Sequence, residues 1–247
     1  MSSSLFHTLN ISRQDILSRL ADLDVTSNNL ANVNTAGYKT SRSNFQEILN
    51  QQLKEGTQLK NTQMLTGQGS LRDSTNPLDW AIQGEGFFSV TLPDGKIGYA
   101  RDGQFVLDAD RKLVTGSGYP LVWDGIIAEG MTDISISPEG KVTALDAKGA
   151  SVAVGTVQLT RFPNPSGLTS RGDNTWLESV ASGKVQSGTA GAENFGTINA
   201  YRVEQSNVEL SQEMTHLITL QRSFSMSIKA FQQTDLMISQ AINLRKA

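Results

Sequence analysis

The stretch LSQEMTHLITLQRSFSMSIKAFQQTDLMISQAI, residues 210–242, decides how this chain is built. Leu210, Met214, Leu217, Gln221, Phe224, Ile228, Phe231, Asp235, Ile238 and Ile242 follow one another in alternating steps of four and three. Eight of these ten are apolar. A seam that repeats every 3.5 residues has the period of a coiled coil. Ser206 and Glu209 stand ahead of it as a capping box. A helix from Asn207 to Arg245 would be roughly 58 Å long at about 1.5 Å per residue.

The N-terminal end carries a weaker version of the same pattern. Leu9, Ile16, Leu23 and Leu30 are seven apart, and Leu5, Leu20 and Val33 flank that stripe. Gly37, after Asn34-Thr35-Ala36, is a helix stop. One apolar stripe at each end predicts that the two helices pair. The other faces are unusual for a solvated coiled coil, which carries Glu and Lys there. Between Ser211 and Ile242 the charges are Glu213, Arg222, Lys229 and Asp235, and Ser, Thr, Gln, Met and Leu fill the rest. Such surfaces suit packing against copies of themselves, and helices of this composition are marginal alone in water.

Between the ends the grammar changes. All six Pro lie between Pro77 and Pro165, and 18 of the 22 Gly lie between Gly84 and Gly196. Phe87–Thr91 and Lys96–Ala100 flank Leu92-Pro93-Asp94-Gly95, a hairpin signal. Short apolar runs follow at Phe105–Leu107, Lys112–Thr115, Pro120–Trp123, Ile134–Ile136, Val142–Leu145 and Val152–Leu159, with turn residues between them. The fold class is therefore α+β. Residues 1–37 and 204–247 form a discontinuous, paired-helix assembly domain. Residues 38–75 are an extended, Gln-rich connector, and 76–203 an antiparallel sandwich or barrel-like domain.

Composition narrows the chemistry. The 247 residues carry 21 Lys+Arg against 24 Asp+Glu, a net charge of −3, which argues against nucleic acid and against a polybasic membrane anchor. With no Cys, thiolate metal sites and Cys nucleophiles are excluded. His7 and His216 stand far apart, without partners at ligand spacing. Gly84-Glu85-Gly86 opens a strand rather than a helix and reads as a turn, not a phosphate loop. Arg171-Gly172-Asp173 matches an adhesion tripeptide, but Ser170 and Asn174 make it a polar turn. No cofactor, metal, small-molecule substrate or catalysis is expected. The start, Met1 to His7, lacks the basic and apolar regions of a cleavable secretory signal.

Residues 27–39, SNNLANVNTAGYK, resemble a signature of the bacterial flagellar rod and hook proteins. Its positions here are Asn28, Asn29, Leu30, Ala31, Asn32, Thr35, Gly37 and Tyr38. The likeness continues through residues 76–88, 99–103, 161–168 and 204–222, in the family's order. It implies a structural subunit that self-assembles through its terminal helices into a helical tube, the rod of the basal body. That tube would transmit motor torque and enclose the export channel. The implied assembly residues are Leu9, Ile16, Leu23, Leu30, Leu210, Met214, Leu217, Phe224, Ile228, Phe231, Ile238 and Ile242. The implied partners are copies of the chain, other rod and hook proteins, the surrounding ring proteins and the flagellar type III export apparatus. The last would deliver the chain to the periplasmic basal body without a cleaved signal. Residues 162–168, FPNPSGL, are most like the distal rod members; the short span from Phe45 to Asn76 keeps a proximal rod subunit as the alternative.

Overall fold

The computed structural model describes residues 2–48 and 56–246. Two units partition the chain. The first holds residues 1–31, 41–63 and 209–247, and the second holds 32–40 and 64–208.

The helical unit contains α1 (Ser2–Ala31), β1 (Ser41–Ile48), β2 (Gly56–Met64) and α2 (Leu210–Lys246), with β1 paired to β2. Residues 38–75, expected to be a connector, thus hold strands. Their sequence is polar on both faces, so apolar alternation could not announce them. Ser227 donates its hydroxyl to Asp15 Oδ2 at 2.6 Å. His216 Nε2 lies 3.3 Å from Asp22 Oδ2. Asn29 Nδ2 donates to Glu213 Oε1 at 3.3 Å. Partner numbers fall on α2 as they rise on α1, so the helices run antiparallel. Hydroxyls along α2 are satisfied within the helix. Thr215, Thr219, Ser225 and Thr234 each donate to the carbonyl four residues back. The expected capping box does not form, because α2 begins at Leu210 and the Ser206 hydroxyl accepts from the Val208 N–H instead.

In the second unit the strands, in chain order, are β3 (Leu71–Asp73), β4 (Trp80–Gln83), β5 (Phe88–Thr91), β6 (Ile97–Ala100), β7 (Phe105–Leu107), β8 (Leu113–Thr115), β9 (Thr132–Ile136) and β10 (Lys141–Leu145). They continue with β11 (Ser151–Thr156), β12 (Gln158–Arg161), β13 (Thr169–Gly172), β14 (Thr175–Leu177), β15 (Gln186–Thr189), β16 (Thr197–Ala200) and β17 (Arg202–Glu204). Instead of two large facing sheets, small antiparallel ones form. The largest is β13-β14-β6-β5, followed by β11-β10-β9. The predicted hairpin is β5–β6, with Thr91 opposite Ile97 and Gly95 at φ 75° closing the turn. Residues 120–123 make only isolated bridges, to Val90 and Val114. Chain punctuation every few residues favours short strands over long ones.

Period-two alternation splits the core. Phe88 packs with Trp80, Ile82, Phe105 and Leu113 in one cluster, while its neighbour Phe87 joins Met64, Tyr99, Phe162 and Trp176 in the other. Phe88 meets Phe105 edge-on at 5.2 Å, and Tyr99 meets Phe162 at 4.7 Å.

Candidate functional site

The residues of the 27–39 signature divide between two tasks. Asn28 donates to the Asp24 carbonyl on the exposed side of α1. Asn29 is buried and bonds the backbone of Ser41 both ways, accepting from its N–H and donating to its C=O, each at 2.9 Å. Leu30 is half-buried, and Ala31 is the last helical residue. Asn32 and Thr35 form the turn that follows, through Thr35 N to Asn32 O at 3.1 Å and Thr35 Oγ1 to Asn32 Oδ1 at 3.1 Å. Gly37 sits at φ 65°, where a side chain is strained, and a Cβ would strike the backbone of Arg101 and Asp102. Tyr38 is half-buried, and Lys39 after it is buried.

Lys39 leads to the most concentrated chemistry in the β unit. Glu204 is completely buried. Its Oε1 accepts from Lys39 Nζ at 2.6 Å and from the Gly69 N–H at 2.9 Å, and its Oε2 accepts from Arg101 Nε at 2.6 Å. Arg101 in turn donates to the carbonyls of Gly86 and Gly84, and its guanidinium lies 5.9 Å from the Phe87 ring. Lys39 donates also to the Gly67 carbonyl at 2.7 Å. Burial pulls the Lys39 ammonium below the ordinary lysine value, with the Glu204 carboxylate working against that shift. Two cations on one carboxylate, each with further acceptors, is the condition under which buried charge is tolerated. The loop at Gly84-Glu85-Gly86 thus turns carbonyls toward a cation, the opposite polarity to a phosphate cradle.

Beside it, the Asn207 side chain makes four hydrogen bonds. Its Oδ1 accepts from Thr40 N and Thr40 Oγ1, both at 2.7 Å, and its Nδ2 donates to the carbonyls of Leu65 at 3.1 Å and Gly67 at 2.9 Å. Three distant stretches, 37–40, 64–69 and 204–207, are thereby clasped. Sequence reasoning did not single out Lys39, Arg101, Glu204 or Asn207 as functional. The available signal was charge in apolar company, as in Ala100-Arg101 and Val203-Glu204.

Of the expected assembly residues, Ile16, Leu23 and Leu30 on α1 are half-buried, as are Leu217, Phe224, Ile228, Phe231 and Ile238 on α2. Leu210 and Met214 are about half exposed, at 47% and 49%. The side chains of Leu9 and Ile242 lie outside the described residues. Among the described α1 side chains the most deeply buried are others: Ser18, Thr26 and Asn29. On α2 it is Leu220, one place from the expected Gln221, which is exposed along with Asp235. Leu17, Leu20, Ile218, Met226, Leu236 and Met237 face outward.

The Arg171-Gly172-Asp173 tripeptide ends β13 in a tight turn with Asp173 and Asn174 both at positive φ. Asp173 accepts from the Tyr119 hydroxyl at 2.8 Å and Asn174 donates to the Ala36 carbonyl at 2.8 Å. The turn is engaged within its own fold.

Comparison with known proteins places these features. The family description "Flagella basal body rod protein" matches residues 19–39. "Flagellar hook protein FlgE/F/G D1 domain" matches 81–144, and "Flagellar basal body rod FlgEFG protein C-terminal" matches 200–244. The chain is 34% identical to the flagellar basal-body rod protein FlgG of Borreliella burgdorferi, over 91% of this chain and 93% of that one. It is 36% identical to the protein of the same name from Caulobacter vibrioides, over 91% and 94%. The Bacillus subtilis protein of that name is 32% identical, over 91% and 93%.

Proposed function

We propose a working arrangement for this chain, which belongs to the flagellar hook and basal-body rod family and is a FlgG-like rod protein. It is a structural subunit of the distal rod of the flagellar basal body, where it assembles with other flagellar proteins, and it is not an enzyme. In the arrangement proposed, α1 and α2 pair as a coiled coil. Copies of the pair pack side by side through Leu210, Met214, Leu217, Phe224, Ile228 and their neighbours into a helical tube. The tube transmits torque and encloses the export channel, within the periplasm and inside the ring proteins. The type III apparatus of the flagellum delivers the chain.

One observation carries the packing scheme. The outward faces of α1 and α2 hold Leu17, Leu20, Leu210, Met214, Ile218, Leu236 and Met237, and Ile16, Leu23, Leu30, Leu217, Phe224, Ile228, Phe231 and Ile238 stay half-buried beside the polar cross-contacts Asn29–Glu213, Ser227–Asp15 and His216–Asp22. A helix pair that leaves so many apolar side chains open or half-covered suits one that meets further helices. A contact that joins unlike faces head to tail builds an open helix instead of closing into a dimer.

Phe224→Asp tests it. Fully burying such a side chain is worth roughly 1.5–3 kcal/mol, and a carboxylate in its place adds a desolvation cost. The substitution is expected to leave the thermal melt of the β unit unchanged and to abolish polymerisation, read by sedimentation and negative-stain images at rising concentration. Normal filaments from the Phe224→Asp chain would overturn the packing scheme.

A further inference from the structure

The chain passes between its two units after residues 31, 40, 63 and 208. Thr40, Leu65 and Asn207 lie within two residues of three of these passages. Inside the β unit the side chain of Asn207, itself in the third stretch, hydrogen-bonds the other two: Thr40 twice, Leu65 and Gly67. Backbone bonds tie the same stretches again. Leu65 N donates to Thr40 O at 2.8 Å, Gly37 N to Glu204 O at 2.8 Å, and Gln205 N to Ser70 O at 2.8 Å. Glu204 adds a third layer through Lys39 and the Gly69 N–H.

We propose that Asn207 is a positioning residue which makes these three stretches open and close as one cooperative element, so that no passage of the chain is released alone. The geometry distinguishes this from ordinary turn chemistry. A turn amide bonds its own neighbours within a few residues. Asn207 instead bridges residues 167, 142 and 140 positions away. Its acceptor oxygen serves one stretch and its donor nitrogen another, so neither half of the amide can be lost without freeing a partner. Buried or half-buried polar groups left without partners are costly, and here each stretch supplies a partner to the others. A network of this kind couples its members more strongly than isolated pairs do. The use of such a clasp in carrying force along a rod rests on the functional reading above. Its cooperativity does not, and the measurement below concerns only the free chain.

The experiment is residue-resolved amide hydrogen exchange on the full-length chain, with and without Asn207→Ala. Loss of one side chain removes the acceptor of the Thr40 amide directly. Under the proposal the Leu65, Gly37 and Gln205 amides also accelerate, together and at least tenfold, although none of them bonds the Asn207 side chain. Amides in β5 and β6 keep their wild-type rates. Acceleration confined to Thr40 would overturn the proposal. Asn207→Asp keeps the acceptor for Thr40 and loses the donors to Leu65 and Gly67. It is expected to produce the same joint acceleration, and a response limited to Leu65 would count against cooperativity. Should Asn207→Ala unfold the whole β unit, Thr40→Val, which removes only the hydroxyl bond, decides the matter on the same criterion of joint or separate change. A wild-type chain that fails to form filaments would overturn the rod packing scheme and leave this result untouched.

Discussion

The two units differ in what they enclose most completely. In the β unit Trp80, Ile82, Phe88 and Leu159 are wholly enclosed, and the buried charges are engaged: Lys39, Glu204 and Arg101 with one another, and Asp79 by Ser74 and Asn76. In the helical unit the deepest α1 positions are Thr26 and Asn29, each 2% exposed, while Met226 on α2 stands 64% open. The first arrangement is that of a domain stable by itself. The second leaves apolar side chains open, as the packing against further copies proposed above would require. Stability in a small helix pair comes from packing an apolar face, and here much of the apolar surface stays open or half-covered. Under the proposed packing, folding of the β unit is intrinsic and completion of the helical unit depends on neighbours.

The largest effect should come from breaking the ionic group in the β unit. Glu204→Gln removes the charge shared by Lys39 and Arg101 and leaves two buried cations without a counter-ion. Breaking a buried pair in this way costs about 3–5 kcal/mol. Urea unfolding followed by emission from the buried Trp80 and Trp176 should report that loss. A cost below about 1 kcal/mol would mean that the β unit tolerates uncompensated charge as readily as the helix pair tolerates polar burial, and the contrast would fail.

How much of this was legible in the sequence depended on whether the signal was local. The β5–β6 hairpin was, because Asp94-Gly95 separates two runs of strand-forming residues and Gly95 takes the positive φ that such a turn needs. Both helices were too, through their freedom from Gly and Pro. Which side chains go deepest was not. Counting apolar residues selects Leu9, Ile16, Leu23 and Leu30, yet Ser18, Thr26 and Asn29 go deepest. Thr26 donates to the Asp22 carbonyl of its own helix at 2.9 Å, so its burial strands no polar group. Hydrophobic periodicity cannot register a polar side chain satisfied in this way. The strands within 38–75 escaped because SRSNFQEI and GTQLKNTQM have little alternation. The clasp escaped because its parts are 165 and 103 residues apart and only the fold joins them.

Asp102 in the β unit and Asp15 in the helical unit shift in opposite directions, and pH separates them. Burial pushes Asp102 in the β unit up to about 6, helped by the nearby Asp79 and opposed by the Gln104 N–H. Asp15 on α1 is partly desolvated too, but hydrogen bonds from Arg19 and Ser227 and the Arg19 charge outweigh that and hold it below the usual carboxylate range. For Asp102 the folded state keeps its proton between about pH 4 and 6 while the unfolded chain has lost it. Stability from this group is therefore full at pH 4 and falls as pH rises through 6, by about 1–3 kcal/mol at roughly 1.4 kcal/mol per unit. For Asp15 the contribution is present above the unfolded value and lost as acid protonates it. Asp102→Asn keeps an acceptor for the Gln104 amide and should flatten the β unit's stability between pH 4 and 6. The same slope persisting in the Asp102→Asn chain would show that burial in this unit does not set its pH dependence.

The smallest effect is expected where the helix pair makes its most exposed cross-contact, His216 to Asp22 at 3.3 Å. The His216 side chain is half open to solvent, so water and salt screen the pair, and contacts of this kind contribute about 0.2–1 kcal/mol. His216→Ala alone would blur the reading, because Ala also favours the helix by a few tenths of a kcal/mol or more. A double-mutant cycle with Asp22→Asn cancels that gain and leaves the coupling between the two side chains. Far-UV circular dichroism melts of the four chains should give a coupling of at most about 1 kcal/mol, shrinking further at high salt. A coupling above about 2 kcal/mol, insensitive to salt, would place this pair in the same class as a buried ionic contact. The helix pair would then be held by specific polar bonds of its own, as the β unit is by Glu204, and neighbouring subunits would no longer be needed to explain why its apolar side chains face outward.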